Sequence, residues 1–155
     1  MNKIHIAVRT TVSPERVVQA LTDFNPQRTK LLSNIDPRFY QLHSVGTTSA
    51  DVTEGSNFLG GIWERSTYDW SQPGEIHITL QSSNAFVPGG YWHYHVARTE
   101  DGESLVELTV DRRGKNLKGY VLTTLLSFLG RKLFSQSLAQ TLKSLEAEAM
   151  VSSQS

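Results

Sequence analysis

The chain contains no cysteine. A disulfide framework, a thiolate metal site and a cysteine nucleophile are thereby excluded, while oxidising and reducing compartments both remain chemically tolerable. A surplus of either charge is also missing: fifteen Lys and Arg balance fifteen Asp and Glu, a net charge of zero with neutral histidines. Binding a polyanion needs a basic excess, so no nucleic-acid partner is expected. Nor is there a long apolar run. The longest uncharged apolar run, Gly119 to Gly130, spans about twelve residues with two threonines and a serine inside it, short of the ~18–20 that cross a bilayer. Met1 to Thr10 has neither the apolar core nor the small-residue cleavage site of a signal peptide, so a cytoplasmic location is expected. Catalytic signatures are lacking as well: no G-x-S-x-G elbow, G-x-x-x-x-G-K-[ST] loop or H-E-x-x-H helix occurs, and Gly55, Gly60 and Gly61 do not open a helix.

What is present is a clear alternation of periods. In Lys3 to Val12, Ile4, Ile6 and Val8 fall on one face and His5, Ala7 and Arg9 on the other, which predicts a half-buried strand. Ser13-Pro14-Glu15 then supplies an N-cap, a first-turn proline and early negative charge, predicting a short helix over about 14–24. Asn25-Pro26 ends it, and a second short helix carries Leu31, Leu32 and Ile35 before Asp36-Pro37. Between Phe39 and Arg112, turn signals such as Gln72-Pro73-Gly74, Pro88-Gly89-Gly90 and Asp101-Gly102 cut the chain into six strand-like pieces. Parity places Ile76, Ile78 and Leu80, then Trp92, Tyr94 and Val96, then Val106, Leu108 and Val110 on the buried face; His77, His93, His95 and Glu107 take the wet face. From Lys115 the period becomes helical, with Phe134, Leu138, Leu142, Leu145 and Ala149 on one stripe. One domain over 1–151 is expected, with 152–155 as a frayed Ser/Gln tail.

Strand, two short helices, six strands and a long terminal helix is an order that resembles the helix-grip fold of the SRPBCC superfamily, which includes START-like and polyketide cyclase/dehydrase-like proteins. The local carriers are Ser13 to Phe24, Asp51 to Ser56, Tyr68 to Ile76 and Leu138 to Glu148. The resemblance implies an α+β fold, a curved seven-stranded antiparallel sheet wrapped around the C-terminal helix. It also implies an apolar cavity between them for a lipid, polyketide or sterol-like molecule; no cofactor is expected. A cyclase- or dehydratase-like enzyme using the same pocket is the alternative, because one scaffold hosts several functions. Large aromatics on the buried parity fit such a cavity. The expected ligand-binding residues are Tyr68, Trp70, Ile78, Leu80, Trp92, Tyr94, Leu108, Thr124, Phe128 and Leu138. No residue is assigned a catalytic role. Glu64, Arg65 and Asp69 share one strand, where an inward acid would act as a general base, but outer-face placement is the ordinary reading of such charges.

The spacing His93-x-His95-x4-Glu100 is similar to the first metal motif of cupins. Glu100 sits in a turn on the opposite parity, and the second half of that motif is missing, the chain after Arg112 being helical. His93 and His95 belong to the wet face with His77, so a solvated histidine cluster is expected rather than a metalloprotein, and no metal site is assigned.

At about 100° per residue, Val121, Leu122, Leu125, Leu126, Phe128 and Leu129 fill one helical arc, opposite the side that continues into Phe134 and Leu138. Two arrangements satisfy this. A break near Gly130 would fold 117–129 back as a lid, which is the expectation; a continuous helix would turn an apolar face in 120–129 toward a membrane surface or a second subunit. In the continuous case Thr123, Thr124 and Ser127 would face the cavity.

Overall fold

The computed structural model describes residues 3–32 and 34–154. Seven strands form one antiparallel sheet: β1 (Ile4–Thr10), β2 (Gln41–Val45), β3 (Ser49–Ser56), β4 (Ile62–Asp69), β5 (Glu75–Ser83), β6 (Tyr91–Arg98) and β7 (Ser104–Asp111). Strands β2 to β7 meander, each beside the next, and β1 joins the free edge of β7, giving the order β1-β7-β6-β5-β4-β3-β2. Helices α1 (Pro14–Leu21) and α2 (Arg28–Leu31) and a 3-10 turn at Pro37–Phe39 lie between β1 and β2; a second 3-10 turn, Phe58–Gly60, joins β3 to β4. Helix α3 (Leu117–Gln154) completes the helix-grip arrangement that the element order resembles. Its backbone is helical through Gln154, where a frayed tail was expected from residue 152, and Ser155 lies outside the described residues.

The pleat decides the buried face. Ser104, Val106, Leu108 and Val110 are buried along β7 while their neighbours are only partly so, and the register pairs Val106 with both Val8 and Val96 and Leu108 with both Ile6 and Tyr94. A slip of one residue would turn that whole apolar row outward, so burial fixes the register. Helix α1 begins where Ser13 Oγ accepts from the Arg16 amide at 3.3 Å, with Pro14 in the first turn. Its Val17, Ala20 and Leu21 join Ile76, Ile78, Val96 and the α3 residues Leu138, Leu142 and Leu145 in the main core. A smaller core of Leu80, Ala85, Phe86 and Leu122 lies under the start of α3.

Helix α3 runs unbroken for 38 residues, about 57 Å at 1.5 Å per residue, which overturns the expected lid over 117–129. Gly130 marks a close approach instead: a Cβ there would stand 2.5 Å from Ile4 Cδ1 of β1. The apolar arc is split by this path. Leu122 is buried and Leu126 packs on the main core, while Val121, Leu125, Phe128 and Leu129 are exposed. Of the hydroxyls expected to face the interior in a continuous helix, Thr123 is buried but Thr124 and Ser127 are exposed. Thr124 bonds the Tyr120 carbonyl at 2.8 Å and Ser127 the Thr123 carbonyl at 2.8 Å, satisfying themselves on their own helix.

A narrow aromatic cavity beside a buried ion pair

The void between sheet and α3 is small. About 20 Å³ is lined by Leu21 of α1, Leu32 and the exposed Asn34, Trp92 and Tyr94 of β6, Leu108 of β7 and Phe134, Ser137, Leu138 and Thr141 of α3. That is room for roughly one water, smaller than the ligand-sized cavity expected from the sequence. The reason is aromatic packing: the Trp92 and Phe134 rings meet edge to face with centroids 5.0 Å apart, and Trp92 lies 6.4 Å from Tyr94. Four of the expected ligand-binding residues, Trp92, Tyr94, Leu108 and Leu138, converge on this void. Ile78 is buried in the core away from the void lining, and Leu80 belongs to the separate small core. Thr124 and Phe128 are on the outer surface of α3, so they do not line the interior.

Tyr68 and Trp70 lead to a second feature. Tyr68 is buried on the inward row of β4, and Trp70 packs 5.9 Å from Phe24. Against Tyr68 lies Arg28 of α2, whose side chain is only 3% exposed. Arg28 Nε donates to Glu54 Oε2 at 2.8 Å, one terminal nitrogen donates to the Leu21 carbonyl at 2.8 Å and the Asp23 carbonyl at 3.2 Å, and the other donates to the Tyr68 hydroxyl at 3.1 Å. The Tyr68 hydroxyl donates in turn to Glu54 Oε1. Phe24 closes the site, its ring 4.3 Å from the guanidinium carbon and edge to face with Tyr68 at 4.9 Å. Among the described residues no buried side-chain nitrogen or oxygen lacks a partner. A guanidinium taken out of water is tolerable only with such complete pairing.

The cluster adjoins the cavity, since Leu21 both lines the void and offers its carbonyl to Arg28. Burial works against the Arg28 charge, but Tyr68 and Glu54 outweigh it and raise its pKa. Burial pushes the Tyr68 phenol well above its ordinary value, with the Glu54 carboxylate adding to the shift. Burial likewise moves Tyr94 up to about 12, a hydrogen bond with Trp92 acting in the opposite sense. No Asp, Glu or His is among the residues lining the void, and Tyr94 is the titratable group there. The arrangement offers apolar walls with hydroxyl, amide and phenol hydrogen bonds, and no group poised to exchange a proton near neutral pH.

These phenols have a measurable consequence. A folded-state pKa raised above the unfolded value of about 10 contributes stability that is fully present below pH 10 and is lost as pH climbs toward 12. Phenolate absorbance followed with circular dichroism is therefore expected to show Tyr68 and Tyr94 un-ionised at about pH 11 until the fold is lost. Full ionisation of all five tyrosines while the native spectrum persists would contradict this.

Among the acids of β4, Glu64 turns inward, contrary to the outer-face reading, and meets the buried Arg112 with Nε 2.6 Å from its carboxylate. Arg65 and Asp69 face out, and Arg65 pairs with Asp51 across β3 at 2.8 Å. On the wet face His77 and His93 stack with ring centroids 4.3 Å apart, directly opposite in the ladder, and Glu75 bonds His77 at 2.5 Å and His95 at 3.0 Å. Partial burial and the neighbouring His77 lower the His93 pKa. Among the described residues no three His, Asp or Glu side chains are grouped so as to hold a metal ion.

Outside the void, the loop from Phe24 to Leu42 forms an open groove of about 490 Å³ lined by Phe24, Pro26, Thr29, Pro37, Tyr40 and Leu42. The Tyr40 hydroxyl donates to the Phe24 carbonyl at 2.8 Å, holding this loop together.

No protein-family model matches this sequence, and no curated protein sequence matches it. Solved structures share the fold. A START superfamily protein from Mycobacterium smegmatis superposes with a TM-score of 0.74 at 11% identity, over 92% of this chain and 98% of that one. The Zhui aromatase/cyclase from a Streptomyces species gives 0.77 at 12%, over 96% and 95%. Norcoclaurine synthase from Thalictrum flavum, solved with dopamine and hydroxybenzaldehyde, gives 0.66 at 12%, over 95% and 87%. The chain thus shares the helix-grip fold of these structures.

Proposed function

We propose that this helix-grip protein binds a small, largely apolar molecule, lipid- or polyketide-like, between its sheet and α3. The observation that carries the reading is the composition of the interior void: aromatic and aliphatic walls from Trp92, Phe134, Leu108 and Leu138, with Tyr94, Asn34, Ser137 and Thr141 as hydrogen-bonding groups. Two structural neighbours support it through what they are named for, an aromatase/cyclase and a synthase holding dopamine and hydroxybenzaldehyde. A carrier fits this chain better than an enzyme, since no carboxylate or imidazole reaches the void.

A void of 20 Å³ admits no such molecule as it stands, so binding requires the cover to move. The cover is the segment 22–40, which contributes Leu32 and Asn34 to the void and whose regular elements, among the described residues, are the four-residue α2 and a three-residue 3-10 turn. It is an apt gate because little backbone pairing must break, and Arg28 is the latch that ties it to Glu54 of β3 and Tyr68 of β4.

Native mass spectrometry of untagged protein, followed by titration with an apolar fluorophore read through tryptophan quenching, tests this. One retained molecule per chain, or saturable 1:1 binding at about micromolar affinity, is expected. Absence of a retained molecule together with non-saturating quenching would remove the proposal.

A further inference from the structure

The outer face of α3 carries a second message. On its first four turns Leu117, Tyr120, Val121, Leu125, Phe128 and Leu129 are all exposed, Leu117 at 79% and Phe128 at 83%. Their spacing lays one stripe along the helix on the side away from the sheet. The 3-10 turn at Phe58–Gly60 extends the apolar surface: Lys118 Nζ donates to the Gly61 carbonyl at 2.6 Å, which sets the exposed Phe58 and Leu59 beside the first turn. Val87, also exposed, is brought to the same end by its backbone N–H, which donates to the Arg113 carbonyl at 2.8 Å.

Charge at this end is mostly basic, the neighbouring Glu64 being engaged by the buried Arg112. From Arg112 to Leu145 the sequence has no Asp or Glu but includes Arg113, Lys115, Lys118, Arg131 and Lys132. The start of α3 meets the rest of the chain at the carbonyls of Asn84 and Gly61, which lie in acid-free stretches of sequence, 76–99 and 55–63. In a chain whose total charge is zero, that is a segregation of charge and not a bias of composition. An apolar stripe bracketed by basic side chains is the make-up of a helix that lies in the plane of a bilayer, where long cationic side chains reach the headgroups.

We infer that the Leu117–Leu129 face of α3, with the Phe58–Leu59 turn, docks on an anionic lipid surface. A second copy of the chain is the weaker occupant, because two-fold pairing of this face would bring basic ends together with no acidic residue in 112–145 to compensate. A bilayer of anionic lipid supplies both the apolar depth and the countercharge. The inference is independent of the proposed cavity ligand and holds for empty protein.

Its test is sedimentation with phosphatidylcholine vesicles containing or lacking phosphatidylglycerol, alongside light scattering of the free protein. The wild type is expected to be a monomer that binds the anionic vesicles, weakens with salt and scarcely binds phosphatidylcholine alone. Phe128→Glu, at a site too exposed to disturb folding, should weaken binding at least about tenfold, and the Arg131→Glu, Lys132→Glu double variant about fivefold or more per charge. Circular dichroism confirms that both remain folded. No binding to anionic vesicles, or unchanged binding by folded Phe128→Glu, overturns the inference. A dimer that Phe128→Glu dissociates overturns it in favour of self-association.

Discussion

Arg28→Met is expected to lower the unfolding free energy by about 3–5 kcal/mol, the range found when one partner of a buried ion pair is removed. The geometry explains why the cost is large. Arg28 is 3% exposed and Glu54 14%, so neither is screened as a surface pair would be, and the substitution strands Glu54 with Tyr68 as its remaining partner. The Leu21 and Asp23 carbonyls lose their donors at the same time. The pair itself is worth much less than its breakage costs, because ionising two groups in the interior already forfeits their hydration. Arg28→Met combined with Glu54→Leu should therefore recover most of the loss, to within about 2 kcal/mol of the parent. Urea unfolding of the parent, both single variants and the double variant measures the coupling directly. A single-variant cost below about 1 kcal/mol would mean that the pair does not hold α2 to the sheet. The double variant carries the functional consequence: with the latch removed but the charges gone, the cover should open more often, and an apolar probe should enter faster.

How this cluster stayed unseen in the sequence is instructive. Tyr68 was among the expected ligand-binding residues, but Trp63 and Trp70 stand on opposite rows of its strand and leave the inward face undecided in the sequence, and its two partners were not singled out. Both left a trace. Phe24, Arg28, Leu32 and Ile35 follow each other at four, four and three residues, so Arg28 occupies an apolar position of the stripe. Glu54 shares parity with Ala50 and Val52, both buried, so it too sits where an apolar residue belongs. A charge on an apolar row is the sign of a buried pair; matching Arg28 with Glu54, 26 residues apart, requires the tertiary structure.

The strands were the most legible elements, since a period of two admits only two faces. The parity of β5, β6 and β7 and the wet-face placement of the histidines follow from it. Helix α3 was harder for a physical reason. Its apolar residues cover more of the circumference than the sheet does, so sequence alone cannot say that Leu122 and Leu126 turn in while Val121 and Leu125 remain out. Gly130 misled for a related reason: mid-helix glycine suggests a break, and its actual cause, the Ile4 side chain 2.5 Å from a would-be Cβ, lies 126 positions away in the chain. Cavity volume was least legible of all. It is a small difference between large packed volumes, and here the ring contact of Trp92 with Phe134 consumes it.

That contact supplies the second large effect. Phe134→Ala deletes a ring that meets Trp92 at 5.0 Å and borders the void, and is expected to cost about 3 kcal/mol, the low end for such truncations because Phe134 is half-buried. The same change enlarges the void where its walls are Leu108, Leu138 and Trp92. The enlarged space, apolar on that side and lined elsewhere by Tyr94, Asn34, Ser137 and Thr141, gains room for a small aromatic molecule, so indole or benzene should raise the melting temperature of Phe134→Ala and leave the parent nearly unchanged. Tryptophan fluorescence should respond in the variant alone, because Trp92 forms one wall. Thermal unfolding with and without the aromatic probe decides the matter. A loss under about 1 kcal/mol with no response to the probe would mean that α3 settles onto the sheet and closes the gap. Rescue by the probe would establish that the sheet and α3 hold their positions around a space larger than the one they now enclose, which is the mechanical condition for seating a ligand there.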